Sequence, residues 1–152
     1  MINENLKLSG QLDIVVKDKN GAVKEERTEK NLVVNAGLAF IASRMTGTAK
    51  SVMSHMALGT GTTAASGAQT DLVTIAGSRE ALDSTTITGS NNEKVQYVAS
   101  FEDGDAEGAL TEAGIFNAAT SGDMLCRTVF AVVNKAPGDT MEVTWTITLS
   151  AV

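Results

Sequence analysis

"MEVTWTITLS", residues 141–150, alternates without a break. Met141, Val143, Trp145, Ile147 and Leu149 fall on one side, and Glu142, Thr144, Thr146, Thr148 and Ser150 on the other. A period of two marks a strand with one buried and one wet face. The same residues wound into a helix would scatter their apolar side chains around the axis. The stretch therefore predicts a half-buried β-strand.

The pattern extends upstream. In "KVQYVASFE" Val95, Tyr97, Ala99 and Phe101 alternate with mostly polar neighbours. "DMLCRTVFAVVN" has Met124, Cys126, Phe130 and Val132 on one face and Leu125, Val129, Ala131 and Val133 on the other, which predicts a central strand covered on both sides. Further strands are expected near 52–58, 79–88 and 109–116. The turn-rich joints "GSNNE", "DGDAEG", "ATSG" and "KAPGD" set off the later ones.

Near the N-terminus Leu6, Leu8, Leu12, Ile14 and Val16 alternate, with Gly10 read as a bulge or bend. Asn20-Gly21 then gives a strong hairpin signal. The return arm "AVKEERTEKNLVV" begins charged and ends apolar, so its charged part reads as an exposed edge strand or as a projecting ribbon that carries the hairpin over about 5–34 toward a partner. One helix is expected near 36–46 in "NAGLAFIASRMTG", with Asn35 as N-cap and Gly47 as stop. Leu38, Ile41, Ala42 and Met45 would form its apolar stripe.

These elements predict an all-β fold: one antiparallel β-sandwich or jelly-roll-like domain over 1–152, with about eight strands and one short helix. The length of 152 residues fits one domain, and 43% apolar residues can supply its core. Cys126 is the single cysteine, so no intrachain disulfide forms. The opening "MINENLKLSG" lacks the basic and apolar regions of a signal peptide, and no apolar run approaches a membrane span, so a soluble product is expected.

The net charge of -6 is unevenly spread. Residues 1–50 hold eight Lys/Arg against six Asp/Glu, a net +2, and residues 51–152 hold four against twelve, a net -8. The acidic majority argues against nucleic acid, whose binding rests on Lys and Arg. It leaves room for a basic protein partner or for contact between copies.

The candidate sites are few. Gly59, Gly61 and Ala64 in "MALGTGTTAASGAQTDL" fit G-x-G-x-x-G/A, with Glu80 about where a ribose-binding acid would fall. A dinucleotide site needs a strand, the glycines and then a helix, and here no helical stripe follows. A small-residue loop joining two strands is the better reading, and no cofactor is expected. In "EDGDAEG", Asp103, Asp105 and Glu107 match the first half of a calcium loop loosely. The twelfth position, where a bidentate Glu belongs, is Gly114, so a solvated acidic turn is expected and calcium is the alternative.

One His and one Cys cannot build a zinc set. Cys126 reads as a small hydrophobe in an apolar strand, and His55 as a surface or sheet-edge residue. No catalytic residue is assigned. Glu112 in "LTEAGIFN" stands out as a carboxylate within an apolar strand, which if turned inward needs a cation or several donors. Arg79 and Arg127 lie in strands that could neighbour it, so the three are read as a structural anchor.

"KNLVVNAGLAFIASRM", "SHMALGTGTT", "ALTEAGIFN" and "MLCRTVF", in this order, resemble a group of small β-sandwich structural proteins of tailed bacteriophages. The likeness covers about residues 8 to 150. Such proteins serve as head decoration (cement) proteins or as parts of tail fibres and baseplates. The resemblance implies a non-enzymatic virion component, made in the host cytoplasm. It implies partners among the major capsid protein, other virion proteins and further copies of itself, and no membrane. It makes the "GTGTT" loop a connector and Glu112 a structural anchor. The compact single domain without a shaft of repeats favours capsid decoration, with a tail-fibre or baseplate module as the alternative.

Overall fold

The computed structural model describes residues 5–152. Two five-stranded antiparallel sheets face each other across one core. The first is ordered β2 (Val23–Lys30), β1 (Leu6–Lys17), β10 (Thr140–Ala151), β7 (Lys94–Phe101), β6 (Ser84–Thr88). The second is ordered β3 (Leu32–Val33), β9 (Met124–Lys135), β8 (Gly108–Phe116), β4 (His55–Gly59), β5 (Glu80–Ala81). The fold is an all-β sandwich with one helix, α1 (Asn35–Ser43).

The alternation over 141–150 is realised in β10. Met141, Val143, Trp145 and Ile147 are buried, and their neighbours look outward. β1 pairs with β10 along its whole length, from Leu6↔Ala151 to Lys17↔Thr140. The pairing is continued by Asn5 and Val152, which exchange two backbone hydrogen bonds.

Ten strands form where about eight were expected, because two predicted strands each divide between the sheets. The arm over 22–34 becomes β2 in the first sheet and β3 in the second. The stretch 79–88 becomes β5 in the second sheet and β6 in the first. Strands that change sheets make the corners of a sandwich. Asn31 is one corner: its Oδ1 accepts a hydrogen bond from the indole Nε1 of Trp145 at 2.7 Å. At the other, Leu82 donates its amide to Ser54 and Asp83 donates its amide to Val98, one bond to each side.

The N-terminal hairpin does not project. Its turn forms at Asp18–Ala22 with Gly21 at φ +82°, but both arms belong to the body. Leu12, Ile14 and Val16 of β1 are core residues, and β2 is tied down by Arg27 to the carbonyls of Ala131 and Val132. Lys24 adds an ion pair to Asp139. Of the two readings of the charged arm, the exposed edge strand is the one the sheet order shows.

Gly10 is neither bulge nor bend, since the β1–β10 register runs through it unbroken. It makes room: a Cβ there would sit 1.7 Å from Asn31 Oδ1. The helix also differs from expectation. Asn35 is its first residue, not its cap, and it ends at Ser43, before Gly47. Leu38 and Met45 are exposed, whereas Gly37 and Phe40 face inward. The missing side chain of Gly37 decides this, because a Cβ would come within 2.0 Å of the Leu125 carbonyl oxygen. β9 is covered on both faces only over Met124–Thr128, and Ala131 and Val132 are exposed.

Candidate functional site

The second sheet has cover on its outer face as well. Residues 60–79 connect β4 to β5 with almost no regular structure, and they lie over β8 and β9. In β4, Met56 and Leu58 join the main core, while Ala57 turns the other way into a small cluster with Leu72, Phe116 and Met124. In β8, Ala113 and Ile115 face the core, so Glu112 and Phe116 face the loop. Glu112 therefore points out of the sandwich and is buried by the loop above it. Both it and Arg127 are 0% exposed.

The two side chains form a closed unit. Arg127 donates from Nε at 2.9 Å and Nη2 at 2.7 Å to Glu112 Oε2. Its Nη1 donates to the Thr63 carbonyl at 2.9 Å and to Gln69 Oε1 at 3.0 Å. The carboxylate also takes three backbone amides from the loop. Gly61 and Thr74 donate to Oε1 at 2.9 and 2.8 Å, and Val73 to Oε2 at 3.1 Å. Thr111, next to Glu112, donates its hydroxyl to the Gly61 carbonyl at 2.8 Å.

Burial raises the Glu112 pKa. The amides of Thr74 and Val73, the Arg127 guanidinium and the Gly61 amide outweigh that effect and hold it below the ordinary carboxylate value. A buried ion pair is tolerated where further hydrogen bonds satisfy the remaining donors and lone pairs. Every carboxylate oxygen here is occupied and no atom reaches solvent, so the group fastens a loop and has no lone pair to offer a substrate.

The glycine spacing that hinted at a phosphate cradle now has a physical reason. Gly59 and Gly61 do line an anion cradle, and the anion is Glu112 of the same chain. A Cβ at Gly59 would meet Glu112 Oε1 at 2.6 Å, and one at Gly61 at 2.5 Å. No helix follows, and Ala64 only offers its carbonyl to Gln69 at 3.3 Å. Glu80 accepts a hydrogen bond from the Ser78 hydroxyl at 3.0 Å.

Arg79 does not reach Glu112. It fastens the far end of the same loop, with its guanidinium 3.5 Å over the Phe116 ring. It donates to the carbonyls of Ala118 and Ser121 at 2.9 and 2.6 Å, and pairs with Asp71 at 3.3 Å. The expectation that both arginines attend Glu112 is corrected. Arg127 is diagonal to it on the adjacent strand, whereas Arg79 lies just before β5, two strands from β8.

Asp103, Asp105 and Glu107 do not converge. Asp105 Oδ2 accepts the Glu102 amide at 3.0 Å and Glu107 Oε1 the Gly104 amide at 2.9 Å, within their own turn. Asp103 Oδ1 reaches away to the Gly138 amide at 2.6 Å. Among the described residues no group of three or more His, Cys, Asp or Glu side chains is placed to hold a metal ion. No protein-family model matches the chain, and comparison with curated proteins and with solved structures finds no significant match either.

His55 and Cys126 are on opposite faces of the second sheet. Cys126 is in the core, where burial pushes its thiol well above its ordinary value. His55, half-buried, shares a 2.8 Å hydrogen bond with the Ser54 hydroxyl through Nδ1. Tyr97 is pushed up to about 12 by burial, with Cys126 adding to the effect and Arg44 opposing it. Sequence reasoning missed Thr63, Gln69, Val73 and Thr74 as parts of the clamp. Three of these contribute backbone atoms, which any residue type supplies. Only the glycine spacing signalled that an anion would come close.

Proposed function

We propose that this chain is a non-enzymatic structural subunit of a tailed bacteriophage virion, serving on the capsid exterior as a decoration (cement) protein. The observation that carries the reading is where the four segments behind the resemblance meet. "SHMALGTGTT" supplies Gly59 and Gly61, "ALTEAGIFN" supplies Glu112 and "MLCRTVF" supplies Arg127. "KNLVVNAGLAFIASRM" supplies β3, paired with Arg127 and Cys126, and the helix seated on Leu125. Four short strings scattered in sequence thus build one loop clamp and its support. Their shared purpose is to hold a shape, which suits a subunit repeated over a particle.

A tail-fibre or baseplate module that attaches to a host is the second reading. Receptor and glycan sites favour exposed aromatic side chains. All six aromatics here, Phe40, Tyr97, Phe101, Phe116, Phe130 and Trp145, are buried. That weighs toward the capsid.

Mass spectrometry of purified heads, separated from tails, tests the assignment, with antibody labelling of whole virions as the image of it. Recovery with heads is the expected result. Recovery only with tails moves the protein to the second reading, and absence from both fractions overturns the virion assignment.

A further inference from the structure

A sandwich of two open sheets has four edges, and here they are not alike. β2 carries Lys24, Glu25, Glu26, Arg27, Glu29 and Lys30, charges that discourage pairing with another strand. β3 and β5 are two residues long, too short to template a partner. β6 is different. It is five residues, Ser-Thr-Thr-Ile-Thr, without charge, proline or glycine, and Ser84 to Ile87 are all exposed. Among the described residues its backbone pairs only with β7. One row of amides and carbonyls on β6 therefore faces water.

The edge also borders apolar surface. Thr85 and Ile87 are cross-strand partners of Tyr97 and Val95, on the inward face. There they border an apolar groove of about 440 Å³ beneath the helix, shared with Phe40, Val52 and Leu149. Ile87 is 65% exposed and Val52 58%. An open edge beside uncovered aliphatic side chains is a surface built for another strand.

We propose that β6 pairs antiparallel with β6 of a second copy of this chain, joining two five-stranded sheets into one continuous sheet across a two-fold axis. The strand is suited to itself. With Thr86 on the axis, Thr86 faces Thr86 of the second copy, Ser84 faces Thr88, and Thr85 faces Ile87. Threonine hydroxyl pairs and β-branched neighbours are favourable across antiparallel strands. The strand carries no charge, so the pairing takes none out of water. The groove mouths of the two copies meet at the axis, so Ile87 of each copy helps to cover the other. A two-fold interface uses the same patch twice and closes after two chains. The inference stands independently of the virion reading.

The test uses the full chain and two substitutions at Thr86, which is exposed and lies opposite Gln96 on the outward face. Light scattering should give a mass rising with concentration from 15.8 kDa toward twice that value. Thr86→Lys and Thr86→Glu each put like charges opposite one another at the axis, so each should remain a single chain with the parent's circular dichroism and melting. An equal mixture of the two should recover the doubled mass, because opposite charges then meet. A parent that stays a single chain as concentration rises overturns the proposal. So does a Thr86→Lys protein that dimerises like the parent, a folded mixture that fails to pair, or an assembly that grows beyond two chains.

Discussion

Glu112 and Arg127 lie diagonally across the β8–β9 pair, with Glu112 opposite Val129 and Arg127 opposite Gly114. That offset lets the guanidinium meet Oε2 from the side with two donors while the loop amides close on the carboxylate. Removing one partner would leave the other buried and uncompensated.

Glu112→Leu and Arg127→Leu are each expected to cost about 3–5 kcal/mol, the range for a buried pair with one member removed. Glu112→Gln should keep the fold, because its carbonyl oxygen can still accept the Gly61 and Thr74 amides. It should be less stable than the parent and more stable than Glu112→Leu. Denaturant titrations decide this, and variants that melt like the parent would deny the clamp its role.

The clamp should also give a signature in acid. Glu112 titrates below its ordinary value of 4.5 in the folded chain. A carboxyl whose pKa falls on folding stabilises the fold fully above its unfolded pKa, and that stabilisation is lost as pH falls through the folded value. The parent's margin over Glu112→Gln should therefore be constant at neutral pH and shrink below 4.5. A margin independent of pH down into strong acid would contradict the depressed titration.

Glycine substitutions separate close approach from open space. Gly61→Ala puts a methyl 2.5 Å from Glu112 Oε1 and should destabilise by more than about 1 kcal/mol. Gly47→Ala meets nothing within 4 Å and should stay within about ±0.5 kcal/mol of the parent. Thermal melts of the two variants give the comparison, and equal effects would mean that Gly61 is not held against the carboxylate.

Trp145→Ala should cost about 3–5 kcal/mol as a buried aromatic truncation, and a loss below about 1 kcal/mol would place the ring elsewhere. Gly10 and Asn31 should be coupled through the indole's hydrogen bond. Gly10→Ala pushes Asn31 off Trp145 Nε1, and Asn31→Ala removes the same acceptor. The double variant should therefore cost less than the two single costs added together, and strict additivity would refute the link.

How far each feature could be read follows from the range of the forces involved. The alternation in β10 was legible because burial repeats every second residue within one strand. The divided strands were not, because Asn31 and Leu82–Asp83 change sheets through contacts to Trp145, Ser54 and Val98, all distant in sequence. The helix face departs from its sequence pattern for a related reason. Leu38 and Met45 satisfy the helical period, but the helix turns Gly37 toward β9 because only a bare Cα fits beside the Leu125 carbonyl. Glu112 announced itself as the one carboxylate in its strand, and Arg127 as a cation in a neighbouring one. Arg79 looked equivalent in the sequence, and only the path of residues 60–79 separates the two.

The pairing of β1 with β10 has a kinetic consequence. β10 is the last element in the sequence, yet it sits at the centre of its sheet, between β1 and β7. During synthesis the β1–β2 hairpin and the β6–β7 hairpin must wait as separate pieces until the strand that joins them leaves the ribosome. Closing the sheet then spans nearly the whole chain, and folds dominated by such distant pairings form in about milliseconds to seconds, not microseconds. Until that moment Leu12, Ile14 and Val16 have no neighbour at β10, and the β1 edge that β10 will occupy stands open, on the side away from the charged β2.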